Sequence, residues 1–161
     1  MTEPDLHILA AVVENRFGVL ARIAGLFSRR GFNIFSLAVA PTDDPALSRI
    51  TIVVDVHNTD VDQIAKQLNK LINVLEITEL QPSESIEREL MLARVAGDDR
   101  AGIEEVIGRR GGHVVDEGGG ELMVSVHAHP LELDACEAEL RRFGIHELQR
   151  TGRIALGRLS G

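Results

Sequence analysis

Glu14-Asn15-Arg16-Phe17-Gly18-Val19-Leu20 is the stretch of this 161-residue chain best equipped to hold a ligand. A glycine here opens an amphipathic helix directly after a strand-like run. The first amides of a helix have no partner within it and carry partial positive charge, which suits a carboxylate. Gly18 has no side chain to keep a ligand off the backbone, and Asn15 adds a carboxamide that both donates and accepts. The same residues also read as a plain strand-to-helix turn, with Asn and Gly serving geometry alone. Other reactive side chains are less promising. Cys136 lies in an apolar helical stripe and reads as a core thiol. His127 and His129 are two apart at a strand end and would share a face. A closed metal site needs three or four ligands, so solvent-exposed histidines are the better reading. Gly118-Gly119-Gly120 lies between strands with no helix after it, which favours a hairpin turn over an anion cradle. No nucleophile elbow, P-loop, zinc-protease or dinucleotide fingerprint occurs.

The elements that must position these residues follow from periodicity. Leu6 to Glu14 is an apolar, β-branched run and reads as a buried strand. Val19, Ile23, Leu26 and Phe27 share a helical face that Arg29-Arg30-Gly31 closes. Ile34 to Ala40 and Arg49 to His57 read as a hairpin with a long connection through Pro41 to Pro45. Asn58-Thr59-Asp60 caps a helix whose stripe runs Val61, Ile64, Ala65, Leu68, Leu71 and Ile72. Val74 to Leu80 is a closing strand.

The order β-α-β-β-α-β is the ferredoxin-like arrangement, with two helices on one face of an antiparallel sheet. About 75 residues is near the lower limit for an independent domain, so a partner for the open face or the sheet edge is expected. After Gln81-Pro82-Ser83-Glu84-Ser85 the order repeats. Glu87 to Val95 is a strand, and Asp98-Asp99 caps a helix with Ile103, Val106 and Ile107 that Gly111-Gly112 ends. Val114-Val115 and Leu122 to His127 are strands. Pro130 opens a helix carrying Leu133, Cys136, Leu140 and Phe143, closed by Gly144. Ile145 to Leu148 and Ile154 to Leu156 are short final strands. The expected fold is α+β, two ferredoxin-like βαββαβ units over residues 5–81 and 86–161.

Composition narrows the function. Lys and Arg total 17 against 25 Asp and Glu, a formal net charge of −8. Such a chain repels a phosphate backbone overall, and with 3% aromatics, all Phe, it offers no base-stacking platform. The longest apolar run, Ile8 to Val13, is far short of the roughly 20 residues of a membrane span. One cysteine excludes an internal disulfide framework. The expectation is a soluble, cytoplasmic protein that binds neither nucleic acid nor membrane.

Val13-Glu14-Asn15-Arg16-Phe17-Gly18-Val19-Leu20-Ala21-Arg22, continuing through Leu26 to Ile34, resembles the opening of an ACT domain. Ser36-Leu37-Ala38-Val39, Pro41-Thr42-Asp43-Asp44, Leu47 to Ile52, Lys66 to Ile72 and Arg88-Glu89-Leu90 narrow the resemblance to the small regulatory subunits of acetohydroxyacid synthase (acetolactate synthase). Phe35 stands where that family commonly has Glu. The resemblance implies a noncatalytic subunit, without cofactor or metal of its own, that activates a catalytic subunit carrying thiamine diphosphate, Mg and FAD. It implies feedback inhibition by valine or a related branched-chain amino acid, bound where two N-terminal ACT domains pair into a homodimer. By position, Asn15, Gly18, Val19 and Leu20 would come from one chain, and Asn33 and Ile34 from the other. A free-standing tandem ACT amino-acid sensor with another enzyme partner is the alternative, and a small enzyme on two such modules is a third reading.

Overall fold

The computed structural model describes residues 5–57 and 60–160. The chain divides into two compact units: one holds residues up to 86 together with the segment from 154, and the other holds 87–153.

In the first unit the strands are β1 (Leu6–Glu14), β2 (Asn33–Pro41), β3 (Leu47–Asp55) and β4 (Val74–Leu80), and the helices are α1 (Val19–Arg30) and α2 (Val61–Asn69). The sheet order is β2-β3-β1-β4, with every neighbouring pair antiparallel. Alternation along the strands sends Leu9, Ala11 and Val13 of β1 and Ile50, Ile52 and Val54 of β3 to one face. There they pack against Val19, Ile23, Leu26 and Phe27 of α1 and Ile64 and Leu68 of α2. Asp60 caps α2 through the Asp62 amide, while Asn58 and Thr59 lie outside the described residues. The α2 stripe is shorter than its periodicity predicts. After Asn69 the amides of Lys70 and Leu71 reach back only three residues, to Gln67 and Leu68. This tightening keeps Leu71 against the core but leaves Ile72 84% exposed. β3 also runs two residues earlier than expected, ending at Asp55 rather than His57.

In the second unit β5 (Ser85–Ala96), whose first two residues belong to the first unit, is followed by α3 (Arg100–Gly108), β6 (His113–Gly118), β7 (Glu121–Ala128), α4 (Pro130–Leu140) and β8 (Ile145–Arg150). The order β6-β7-β5-β8 repeats the first topology. Met91, Ala93, Val95, Leu122, Val124 and Val126 form a core with Ile103, Val106 and Ile107 of α3 and Leu133, Cys136 and Leu140 of α4. Gly119 and Gly120, both at positive φ, turn the β6–β7 hairpin. Single 3-10 turns cover Pro82–Glu84 and Arg141–Phe143.

The last strand, β9 (Ile154–Gly157), hydrogen-bonds to β5 as a fifth member of the second sheet, while its contacts group it with the first unit. Ala155, 3% exposed, packs with Ile8 and Val53, which point away from the helices. Arg49 donates to the Ala155 carbonyl at 3.2 Å, and the Arg158 amide donates to the Glu84 carbonyl at 2.8 Å. The open face of the first sheet is thus partly covered by the chain's own C-terminal segment.

Candidate functional site

The β1–α1 corner is built on Gly18, whose φ of +84° is open to glycine at little cost. No side chain caps α1. The Val19 amide donates to the Arg16 carbonyl at 3.3 Å, whereas the amides of Leu20 and Ala21 have no acceptor among the described residues. A Cβ built on Gly18 would meet nothing within 4 Å, so the space over the helix start is open. Asn15 is anchored: its amide donates to the Ala46 carbonyl at 2.7 Å and its Nδ2 to the Pro45 carbonyl at 2.9 Å. Its Nδ2 therefore helps hold the β2–β3 loop, and its Oδ1 accepts no hydrogen bond among the described residues. Val19 points its side chain into the core and can offer only backbone, while Leu20 is 43% exposed and Phe17 fully so.

Asn33 and Ile34 lie elsewhere in the same chain. Asn33 pairs with Asp55, and Asp55 with Leu6, whereas Glu14 pairs with Leu47 at the opposite end of the sheet. Nine-residue strands put the two ends about 27 Å apart. The structure therefore gathers Asn15, Gly18, Val19 and Leu20 at one end and Asn33 with Ile34 at the other. Asn33 is exposed, and Ile34 is half-buried against the first core. Both lie on β2, an edge strand with a bulge between Ile34 and Ser36 that leaves Phe35 55% exposed.

The remaining reactive groups are structural. Cys136 is fully buried in the second core, and burial pushes its thiol up. His127 and His129 do not share a strand face: β7 ends at Ala128, and His129 caps α4, its Nδ1 accepting from the Leu131 amide at 3.2 Å. No cluster of three metal-ligating side chains occurs among the described residues, and none of their helices is long and apolar enough to cross a membrane.

An ionic network in the second unit stands outside the sequence reading. Glu87 and Glu89 occupy the same inward face of β5 as Met91 and are 4% and 8% exposed. Glu89 accepts from Arg150 at 2.7 Å and from the Gly152 amide at 3.1 Å, and Glu87 accepts from Arg153 at 3.0 Å. Strict alternation along Ser85–Val95 was the available signal, because it places both carboxylates on the buried face.

Comparison with known proteins agrees with this architecture. Residues 9–76 match the AHAS small subunit-like ACT domain, and residues 88–159 match the family described as small subunit of acetolactate synthase. The chain is 41% identical over 159 residues to a probable acetolactate synthase small subunit of Methanothermobacter thermautotrophicus, covering 97% of this chain and 95% of that one. It is 43% identical over 157 residues to the acetolactate synthase small subunit of Mycobacterium bovis, covering 96% and 94%. The crystal structure of an acetolactate synthase small subunit from Thermotoga maritima superposes with a TM-score of 0.89 at 31% identity, over 97% of this chain and 99% of that one. Two tandem βαββαβ units, the first with a glycine-opened helix beside an exposed edge strand, belong to a chain of the acetolactate synthase small-subunit family.

Proposed function

We propose that this chain is the noncatalytic regulatory subunit of an acetohydroxyacid synthase. It binds and activates a thiamine-diphosphate-dependent catalytic subunit and makes it sensitive to valine or a related branched-chain amino acid. The observation that best supports an effector site is the separation of the two residue groups along the sheet. A second copy added antiparallel along the free β2 edge would bring its own Asn33 and Ile34 to the end that holds Gly18. The unpaired Leu20 and Ala21 amides would then receive the carboxylate, and the Asn33 or Asn15 carbonyl the ammonium. The exposed Leu20 and the Ile34 flank would wall a small aliphatic side chain, for roughly 1–3 kcal/mol of apolar burial.

The test is reconstitution. Titrating this chain into the catalytic subunit should raise acetolactate formation, and added valine should lower it again. Confirmed binding with an unchanged rate would remove the activating role, and activation indifferent to valine, leucine and isoleucine would remove the effector role.

A further inference from the structure

The chain carries a net charge of −8, yet its two lysines and three of its arginines collect on one face of the first unit. α1 contains Arg22, Arg29 and Arg30 and no acidic residue. α2 carries Lys66, and Lys70 closes it; its only carboxylate beyond the cap, Asp62, stands in the first turn. All five cations are exposed, and none has a carboxylate within ion-pair distance among the described residues. Two of them are held in place by neutral groups: Arg22 donates to Asn73 Oδ1 at 2.8 Å and Arg30 to Gln67 Oε1 at 3.1 Å. These bonds order both guanidinium groups, which lowers the entropy a partner must overcome. Asn73 also donates to Glu14 Oε2 at 3.1 Å, so Arg30 is the one of the two held through a carboxamide with no carboxylate on it among the described residues. Lys66 and Lys70, one turn apart, line an open concavity with Gln63, Gln67 and Asn69, and no acidic side chain lines it.

We propose that this α1–α2 face is the docking surface for an acidic surface patch of the catalytic subunit. The inference rests on the regulatory reading above and assigns that reading its contact surface. A cationic, pre-ordered strip on an otherwise acidic chain steers a partner by local complementarity. A nucleic acid fits less well, because the chain as a whole repels phosphate and no aromatic side chain lines the concavity.

The test compares wild type, K66E/K70E and a charge-matched control, R142E/R158E, for binding to the catalytic subunit by titration at about 50, 100 and 200 mM salt. All three full-length chains are first checked by thermal melting. Wild type should bind more weakly as salt rises. K66E/K70E should bind at least about tenfold more weakly at 100 mM salt and with a flatter salt dependence, as expected when paired charges are reversed. The control should stay within about twofold of wild type. Equal binding by K66E/K70E and wild type, with equal salt slopes, would overturn the proposal while leaving the regulatory reading intact. Failure of wild type itself to bind would overturn the regulatory reading. Parallel titrations with a 30-nucleotide single strand and with phosphatidylserine vesicles complete the experiment. If K66E/K70E lost binding to either of these but kept the catalytic subunit, the surface would be reassigned to that ligand.

Discussion

The two units share one topology and treat charge in opposite ways. On the helical layer of the second, Arg100 pairs with Glu104 and Glu117, Arg109 and Arg110 share Glu139, and Arg141 meets Glu137. Its sheet carries the same habit inward, with Glu87 and Glu89 neutralised by Arg153 and Arg150. The first unit has an apolar sheet interior, unpaired cations on its helices and an exposed edge strand bearing Phe35 and Val39. The lesson is that one fold divides its labour by where it leaves groups unsatisfied. Most helix arginines of the second unit face a carboxylate, whereas the first leaves its β2 edge, two helix-start amides and five helix-face cations without such partners among the described residues.

The sharpest way to break this contrast is Glu89→Ala. It would take from Arg150 the most buried of its three carboxylates, leaving Asp134 and Glu137, and would take from the Gly152 amide its acceptor. Losing the hydrogen bonds of one buried charged group, with two carboxylates still on the arginine, costs about 1.5–3 kcal/mol. Urea unfolding should show that loss, and a change under about 1 kcal/mol would mean the network is dispensable. Gly18→Asp attacks the first unit instead. The open space accepts the side chain, while the positive φ adds about 1–2 kcal/mol of strain. A carboxylate set where the effector's carboxylate would lie should shift the valine inhibition midpoint more than a hundredfold, about 2.7 kcal/mol, with activation retained. Asn33→Ala should do less. Losing one hydrogen bond to a charged group is worth roughly 1.5–3 kcal/mol at most, and exposure at the strand start reduces that, so a shift of about tenfold in the same curve is expected.

The smallest effect concerns pH. The Arg110 guanidinium, with help from Arg109, holds the Glu139 carboxyl below the usual carboxylate range. Its folded-state value is therefore lower than its unfolded one, so the unfolded chain takes up the proton first. The stabilising contribution is present in full above the ordinary carboxylate range and fades as pH falls through the folded-state value. Glu139→Gln should accordingly lower the neutral plateau of the melting-temperature profile slightly and converge with wild type at low pH, which flattens the acid limb. An acid limb identical to wild type would show that the pair contributes nothing.

Much of this was legible in the sequence because local signals and tertiary needs agreed. The Gly18 and Gly31 boundaries of α1, the Asp60 and Asp99 caps and the Gly119-Gly120 turn are each dictated by side-chain chemistry within a few residues. The misses were tertiary. Ile72 obeys the helical period, but α2 stops before reaching it, and His129 looks strand-like until the proline after it turns it into a cap. β9 was legible as a strand and pairs with β5, whereas the packing of its Ala155 with Ile8 and Val53 joins residues far apart in sequence, which no local pattern announces. Of the candidate site, the Gly18 corner could be read from chemistry alone. Its separation from Asn33 depends on strand register, which periodicity does not specify.

The central claim is that one effector site draws Gly18 from one copy and Asn33 from another, and mixing two defective variants tests it most directly. Gly18→Asp and Asn33→Lys, each confirmed folded and dimeric, should each abolish valine inhibition when reconstituted alone. After the two are unfolded and refolded together, about half of the dimers are mixed by random assortment. Every mixed dimer then holds one site with an intact Gly18 from one chain and an intact Asn33 from the other. Valine inhibition is expected to return in the mixture, at an amplitude that tracks the fraction of mixed dimers. A mixture as insensitive to valine as either variant alone, with mixed dimers demonstrated by mass spectrometry, would contradict it.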